Sequence, residues 1–211
     1  MRLLSARAGT IALVLAGFAA FACSLLLAGN GLPEYSHRIH PVALRGASGL
    51  PGAMLFNAGA FLLPGLCLLL AMQTPRKALS EAGWVVRIGL TLVQVSALAF
   101  ALQGVFALDA SGVDVQAMRL HALMWMLWWL AFVPGVWLLA LGLRRHRAFA
   151  LACVGAGVLV PVLAVLAPIG LWVGLAQRLV FALWFGWWLL AAVVLSRAST
   201  SSAGSVPPAR R

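Results

Sequence analysis

Charge is what this sequence has least of. Only 9% of its 211 residues are charged, and Asp and Glu together number four. A soluble domain carries about 25% charged residues, so there are too few here to cover a water-facing surface. The length would suit one or two soluble domains, but the composition overrides it. Cysteine is scarce too. Cys23, Cys67 and Cys153 each sit inside an apolar run, their number is odd, and no two form a CxxC pair. No disulfide framework or zinc site is implied by them. The three read as small buried hydrophobes.

What the chain does have is apolar length. Hydrophobic residues make up 64% of it, and its mean hydropathy is +1.03. A membrane core requires about 20 apolar residues per helix. Six stretches satisfy this, at about 8–29, 52–73, 84–106, 118–143, 148–168 and 173–195. The expected fold is therefore all-α: a polytopic membrane protein with one six-helix transmembrane bundle over residues 1–197. The Ser-, Ala- and Pro-rich tail at 198–211 is expected to be disordered. The first stretch follows Arg2 and Arg7, as a signal peptide would. Its apolar run of about 20 residues exceeds the 7–15 of a signal core, so it is read as a retained helix. Pro64, Pro134 and Pro161 fall inside spans and predict kinks, tolerated where neighbours re-satisfy the freed carbonyls.

The net charge is +11. In a soluble protein that would suggest nucleic acid. In a membrane protein it points to loop asymmetry instead, and no nucleic-acid partner is expected. With the N-terminus cytoplasmic, that side holds Arg2, Arg7, Arg76, Lys77, Arg87, Arg144, Arg145, Arg147, Arg197, Arg210 and Arg211, which is eleven cations. The other side holds Arg38, Arg45, Arg119 and Arg178, which is four. The bias predicts a multi-pass protein of the bacterial inner membrane with both termini cytoplasmic.

Polar chemistry concentrates in one place. Residues 31–52, GLPEYSHRIHPVALRGASGLPG, hold two histidines, two arginines, a glutamate and a tyrosine. A connection of about 21 residues is uncommon without a role or disorder. Residues 31–51 are expected to fold back over the outer mouth of the bundle as a lid carrying His37, Arg38, His40 and Arg45. Arg38 or Arg45 would pair with Asp109 or Asp114, and Glu34 with Arg119 or Arg178. Beneath it, Asn57, Gln103, His121, Gln177 and Arg178 each lie within roughly 8 Å of the same membrane boundary, at 1.5 Å per residue. With Asp109 they form the candidate ligand-binding set, since ionisable residues within a membrane mark functional sites. The competing reading is that these are ordinary helix ends in the polar interface. Trp125 and Trp128 continue the helix face of His121, and could either pack a neighbouring helix or line a cavity.

Three segments in order resemble the bacterial six-helix membrane proteins grouped as domain-of-unknown-function family 998. They are HPVALRGASGLPGAMLFNAGAFLLPG (40–65), GVFALDASGVDVQAMRLH (104–121) and GLAQRLVFALWFGWW (174–188). The resemblance implies a six-helix bundle and an outward loop with an Asp, followed by a His that opens the fourth helix. It implies no established reaction. The chain departs from the pattern at Phe106-Ala107-Leu108-Asp109, where many relatives place Phe-Pro before the aspartate.

The residues leave open whether the protein is an enzyme. The preferred reading is a protein that binds or moves a lipid or small amphiphile, or supports a membrane partner. It requires no cofactor, and expects membrane lipid as partner, with a second membrane protein or another copy of the chain as further partners. The alternative is a metal-dependent hydrolase at the outer leaflet. There, zinc would be held by His37, His40, Asp109 and His121, and an open position would activate water. The Gly46-Ala47-Ser48-Gly49 stretch could be a serine nucleophile, but it precedes the second helix and reads as a turn.

Overall fold

The computed structural model describes residues 2–29, 32, 34–109, 111, 113–167 and 172–202, with side chains described within 6–196. Six helices are long and apolar enough to cross a membrane. They are α1 (Arg2–Leu26), α2 (Ala53–Ala78), α3 (Trp84–Gln103), α4 (Val115–Gly142), α5 (Arg147–Leu166) and α6 (Val173–Ser202). No strand occurs among the described residues. The chain is an all-α, multi-pass membrane protein, as its hydropathy requires. The expected spans match to within a few residues at most ends. The exceptions are α1, which starts at Arg2, α2, which runs on past Met72 to Ala78, and α6, which continues to Ser202. The rest of the expected tail, 203–211, lies outside the described residues.

Each helix packs against its chain neighbours, and α6 returns to α1, so the six form a closed ring. The α3–α4 pair has the most extensive contact. Small residues permit it. A Cβ on Gly89 would come 2.9 Å from the Gly135 carbonyl oxygen, and one on Gly135 would come 3.1 Å from Val93 N. In lipid, where burial of apolar surface gives no drive to associate, such close backbone approach is a main source of helix–helix attraction.

Aromatic rings fill the ring's centre. Phe100 of α3 lies 4.7 Å from Trp184, 5.3 Å from Phe181 and 5.4 Å from Phe61, centroid to centroid. Phe21 of α1 and Trp128 of α4 join the same cluster. Tilted and edge-on geometries dominate, as the ring quadrupoles favour. Trp128 therefore packs neighbours, one of the two outcomes foreseen for its face.

Two prolines mark changes of helical register. Pro64 follows a π-helical stretch at Ala58–Leu62, and Pro161 leads into one at Val162–Leu166. Proline lacks an N–H and crowds the carbonyl four residues earlier. The wider turn accommodates both effects. In α2 that stretch directly follows Asn57 and contains Phe61, two residues that shape the region described next.

Candidate functional site

The connection between α1 and α2 is docked on the bundle. Its centre is a 3-10 helix, Val42–Gly46, with Val42, Ala43, Arg45 and Gly46 buried. Four anchors hold it. At α6, Val42 N donates to Gln177 Oε1 at 2.9 Å, and Leu175 N donates to the Arg38 carbonyl at 3.0 Å. The second bond also satisfies one of the N–H groups that a helix start leaves unpaired. At α2, Asn57 Nδ2 donates to the Gly46 carbonyl at 2.7 Å. At the α3–α4 connection, Ser48 N donates to the Leu108 carbonyl at 2.7 Å, and Ser48 forms a parallel bridge with Asp109.

The arginines find carbonyls and rings rather than the expected acids. Arg45 is 8% exposed. It donates to the Ala28 carbonyl at 2.8 Å and to the Pro51 carbonyl at 2.9 Å, and lies over the Phe56 ring. It thus ties the end of α1 to the start of α2. Arg38 sits over the Trp172 ring. Half-buried Arg178 donates to Tyr35 Oη at 2.7 Å, to the His40 carbonyl at 3.1 Å, to the Gly174 carbonyl at 2.7 Å and to His37 Nδ1 at 3.2 Å. Burial raises the Tyr35 phenol pKa, and nearby Arg178 offsets part of that rise. Burial and then Arg178 lower the pKa of His37. Tyr35 is the only tyrosine in the chain. Sequence reasoning gave it no role.

The two acids of the α3–α4 connection are occupied locally. Asp109 accepts from Ser111 N, Val113 N and Asp114 N, and from Ser111 Oγ. These bonds, led by the one from Asp114 N, hold its carboxyl far below the usual range. Asp114 caps α4 by accepting from Ala117 N at 2.9 Å.

Under the docked segment lies a cavity of about 260 Å³, lined by Pro41, Ala43, Phe61, Gln103, Leu108, His121, Ala122, Trp125, Gln177 and Phe181. Three of the six expected ligand-binding residues, Gln103, His121 and Gln177, meet in its wall. The others lie apart. Asn57 and Arg178 hold the loop, and Asp109 shapes the α3–α4 turn. Gln103 is 1% exposed, and its amide nitrogen has no hydrogen-bond partner among the described residues. His121 Nδ1 lies 2.8 Å from the Phe106 carbonyl. A carbonyl only accepts, so Nδ1 carries the proton and Nε2 is an acceptor. Gln177 has its oxygen committed to Val42 N, which leaves its N–H groups for the cavity. The cavity is polar at these three groups, uncharged, and otherwise apolar and aromatic.

His37, His40, Asp109 and His121 do not form a cluster. Among the described residues, no three His, Cys, Asp or Glu side chains come close enough to hold a metal ion together. The tautomers of the loop histidines also oppose ligation. His37 Nδ1 accepts from Arg178, and His40 Nδ1 accepts from Ser36 N. When neutral, each therefore carries its proton on Nε2, the nitrogen that would have to bind the ion.

No family model, curated protein or solved structure matches this chain.

Proposed function

We propose that this protein binds a small, largely apolar molecule or amphiphile in the cavity between α3, α4 and α6, with the α1–α2 connection as its lid. One observation carries the reading. Three neutral polar side chains from three helices meet in one wall of an otherwise apolar and aromatic cavity, beneath a hydrogen-bonded loop. A few convergent polar groups in an apolar pocket is the usual construction of a ligand site. The zinc alternative is less favoured, because its four residues are separately engaged. The bundle would belong with the six-helix family that its sequence resembles.

The test uses the protein in nanodiscs and pentylbenzene as probe, with equilibrium dialysis against empty discs. Saturable one-to-one binding is expected in the wild type and should be lost in Ala122→Trp, which fills the cavity from its wall. Binding no greater than that of empty discs would refute the reading.

The charge bias supports cytoplasmic termini and an inner-membrane location, with the lid facing outward. Reporter fusions at Arg144 should then read as cytoplasmic, and one at Ser111 as periplasmic. The reverse pattern would place the cavity at the cytoplasmic face.

A further inference from the structure

The cavity's polar groups say which head a ligand should carry. Among the described residues its lining contains no Lys, Arg, Asp or Glu. An anionic or cationic head would lose its hydration without a counter-charge, which is expensive in a low-dielectric site. The available groups are instead one acceptor, His121 Nε2, and the amide donor of Gln177. The Gln103 amide nitrogen is sealed within the protein and does not reach the cavity, so the donor is that of Gln177, whose oxygen is held by Val42 N.

A hydroxyl matches this set best. It donates once and accepts twice, so one oxygen can donate to His121 Nε2 and accept from an amide. A bare carbonyl would leave the imidazole unpaired, and a hydrocarbon would leave both groups unpaired. The walls then constrain the body of the ligand. Trp125, Phe61 and Phe181 present aromatic surface, and Trp125 and Phe181 meet at 5.8 Å in an edge-on pair. Such surface suits a flat ring by offset or edge contact.

We propose that the cavity takes an uncharged phenolic ring bearing an apolar tail, the chemical class that includes membrane quinols. This rests on the cavity being a binding site at all. The hydroxyl lies at His121 with an amide completing its bonds, and the ring lies among Trp125, Phe61 and Phe181. No bond is made or broken on this assignment.

The test extends the dialysis measurement to three probes of similar size: para-pentylphenol, pentylbenzene and para-pentylbenzoate. The phenol should bind about tenfold tighter than the hydrocarbon, the scale of one or two well-made neutral hydrogen bonds. The benzoate should bind more weakly than the phenol by at least as much. His121→Phe and Gln177→Leu should each remove most of the phenol's advantage while pentylbenzene still binds, which also shows that the variants are folded. Equal binding of phenol and hydrocarbon would overturn the hydroxyl assignment while leaving the cavity as an apolar site. Tightest binding by the benzoate would overturn the uncharged head. Failure of all three probes would overturn the underlying reading as well.

Discussion

Gly174 is where the lid is most sensitive. A Cβ there would lie 2.5 Å from the His40 carbonyl oxygen, 2.6 Å from that of His37 and 2.9 Å from the carbonyl carbon of Arg38. All three are main-chain atoms, so no side-chain rotation relieves the clash. Gly174→Ala must therefore lift the loop or shift the first turn of α6. Overpacking of this kind costs about 1–3 kcal/mol. Against it stand the Val42–Gln177 and Leu175–Arg38 bonds, each worth about 0.5–1.5 kcal/mol net. The bonds from charged Arg178 to Tyr35 and His40 are worth about 1.5–3 kcal/mol each. The attachments exceed the strain, so the loop should stay docked but open more easily. A loss of about 1–3 kcal/mol corresponds to roughly 5- to 150-fold faster opening-limited exchange. Hydrogen exchange over residues 36–46 reads this directly, with the His40 and Val42 amides as reporters. Gly155→Ala is the control. It lies inside α5 with nothing within 4 Å of its added Cβ, and should stabilise slightly, by about 0.5–1 kcal/mol. Unchanged exchange in Gly174→Ala, or equal loosening in Gly155→Ala, would refute this account of the lid.

Other perturbations separate the remaining elements. Gln103→Leu should raise unfolding stability by about 1 kcal/mol without ligand, because it removes an unpaired buried amide; a clear loss in thermal unfolding would mean that the amide is satisfied. Arg45→Met should cost about 2–4 kcal/mol in denaturant titrations, since two carbonyls lose a charged donor, and Arg45→Lys should recover only part because it lacks the fork. Lid protection should also fall with acidification. The docked pKa of His37 lies below its undocked value of about 6.5, so the undocked state binds the proton more readily. The lid's full stability is therefore present above that value and declines as pH drops through it. Exchange corrected for intrinsic rates should accelerate from pH 7.5 to 5.5 in the wild type and much less in His37→Gln; matching profiles would remove His37 from the latch.

The helices were legible because the membrane imposes a simple rule. Every backbone polar group in hydrocarbon must bond internally, so apolar runs of sufficient length become helices. The cap at Asp114 was not read from the sequence, and it starts α4 at Val115, about three residues before the apolar run alone suggested. The cavity was half legible. Depth along the helix identified Gln103, His121 and Gln177, but depth carries no azimuth. Asn57 and Arg178 share that depth and turn to the loop instead. The apolar lining was hidden for the same reason, since Phe61 and Phe181 look like any core residue. The expected ion pairs failed for another cause. The chain has only four acids, and Asp109 and Asp114 are used by backbone N–H groups within their own turn. Carbonyl oxygens and aromatic faces had to take the arginines, and no spacing in the sequence encodes which ones.

Gln177 connects the lid to the cavity. Its oxygen holds Val42 N while the same amide stands in the cavity wall. A ligand that accepts from the Gln177 N–H would fix the amide in the orientation that presents its oxygen to the loop. Binding and lid docking should then be linked, and linkage is reciprocal: each changes the other's equilibrium by one factor. para-Pentylphenol at saturation should slow exchange of the Val42 amide. Gly174→Ala, whose loop stays mostly docked, should weaken phenol binding only slightly, because the apparent affinity scales with the closed fraction. In Gln177→Leu the two effects should separate, with the lid looser and no longer responsive to the phenol. If the phenol binds yet leaves Val42 exchange unchanged in the wild type, the loop is a fixed roof, and the polarity of residues 31–52 serves only to attach it.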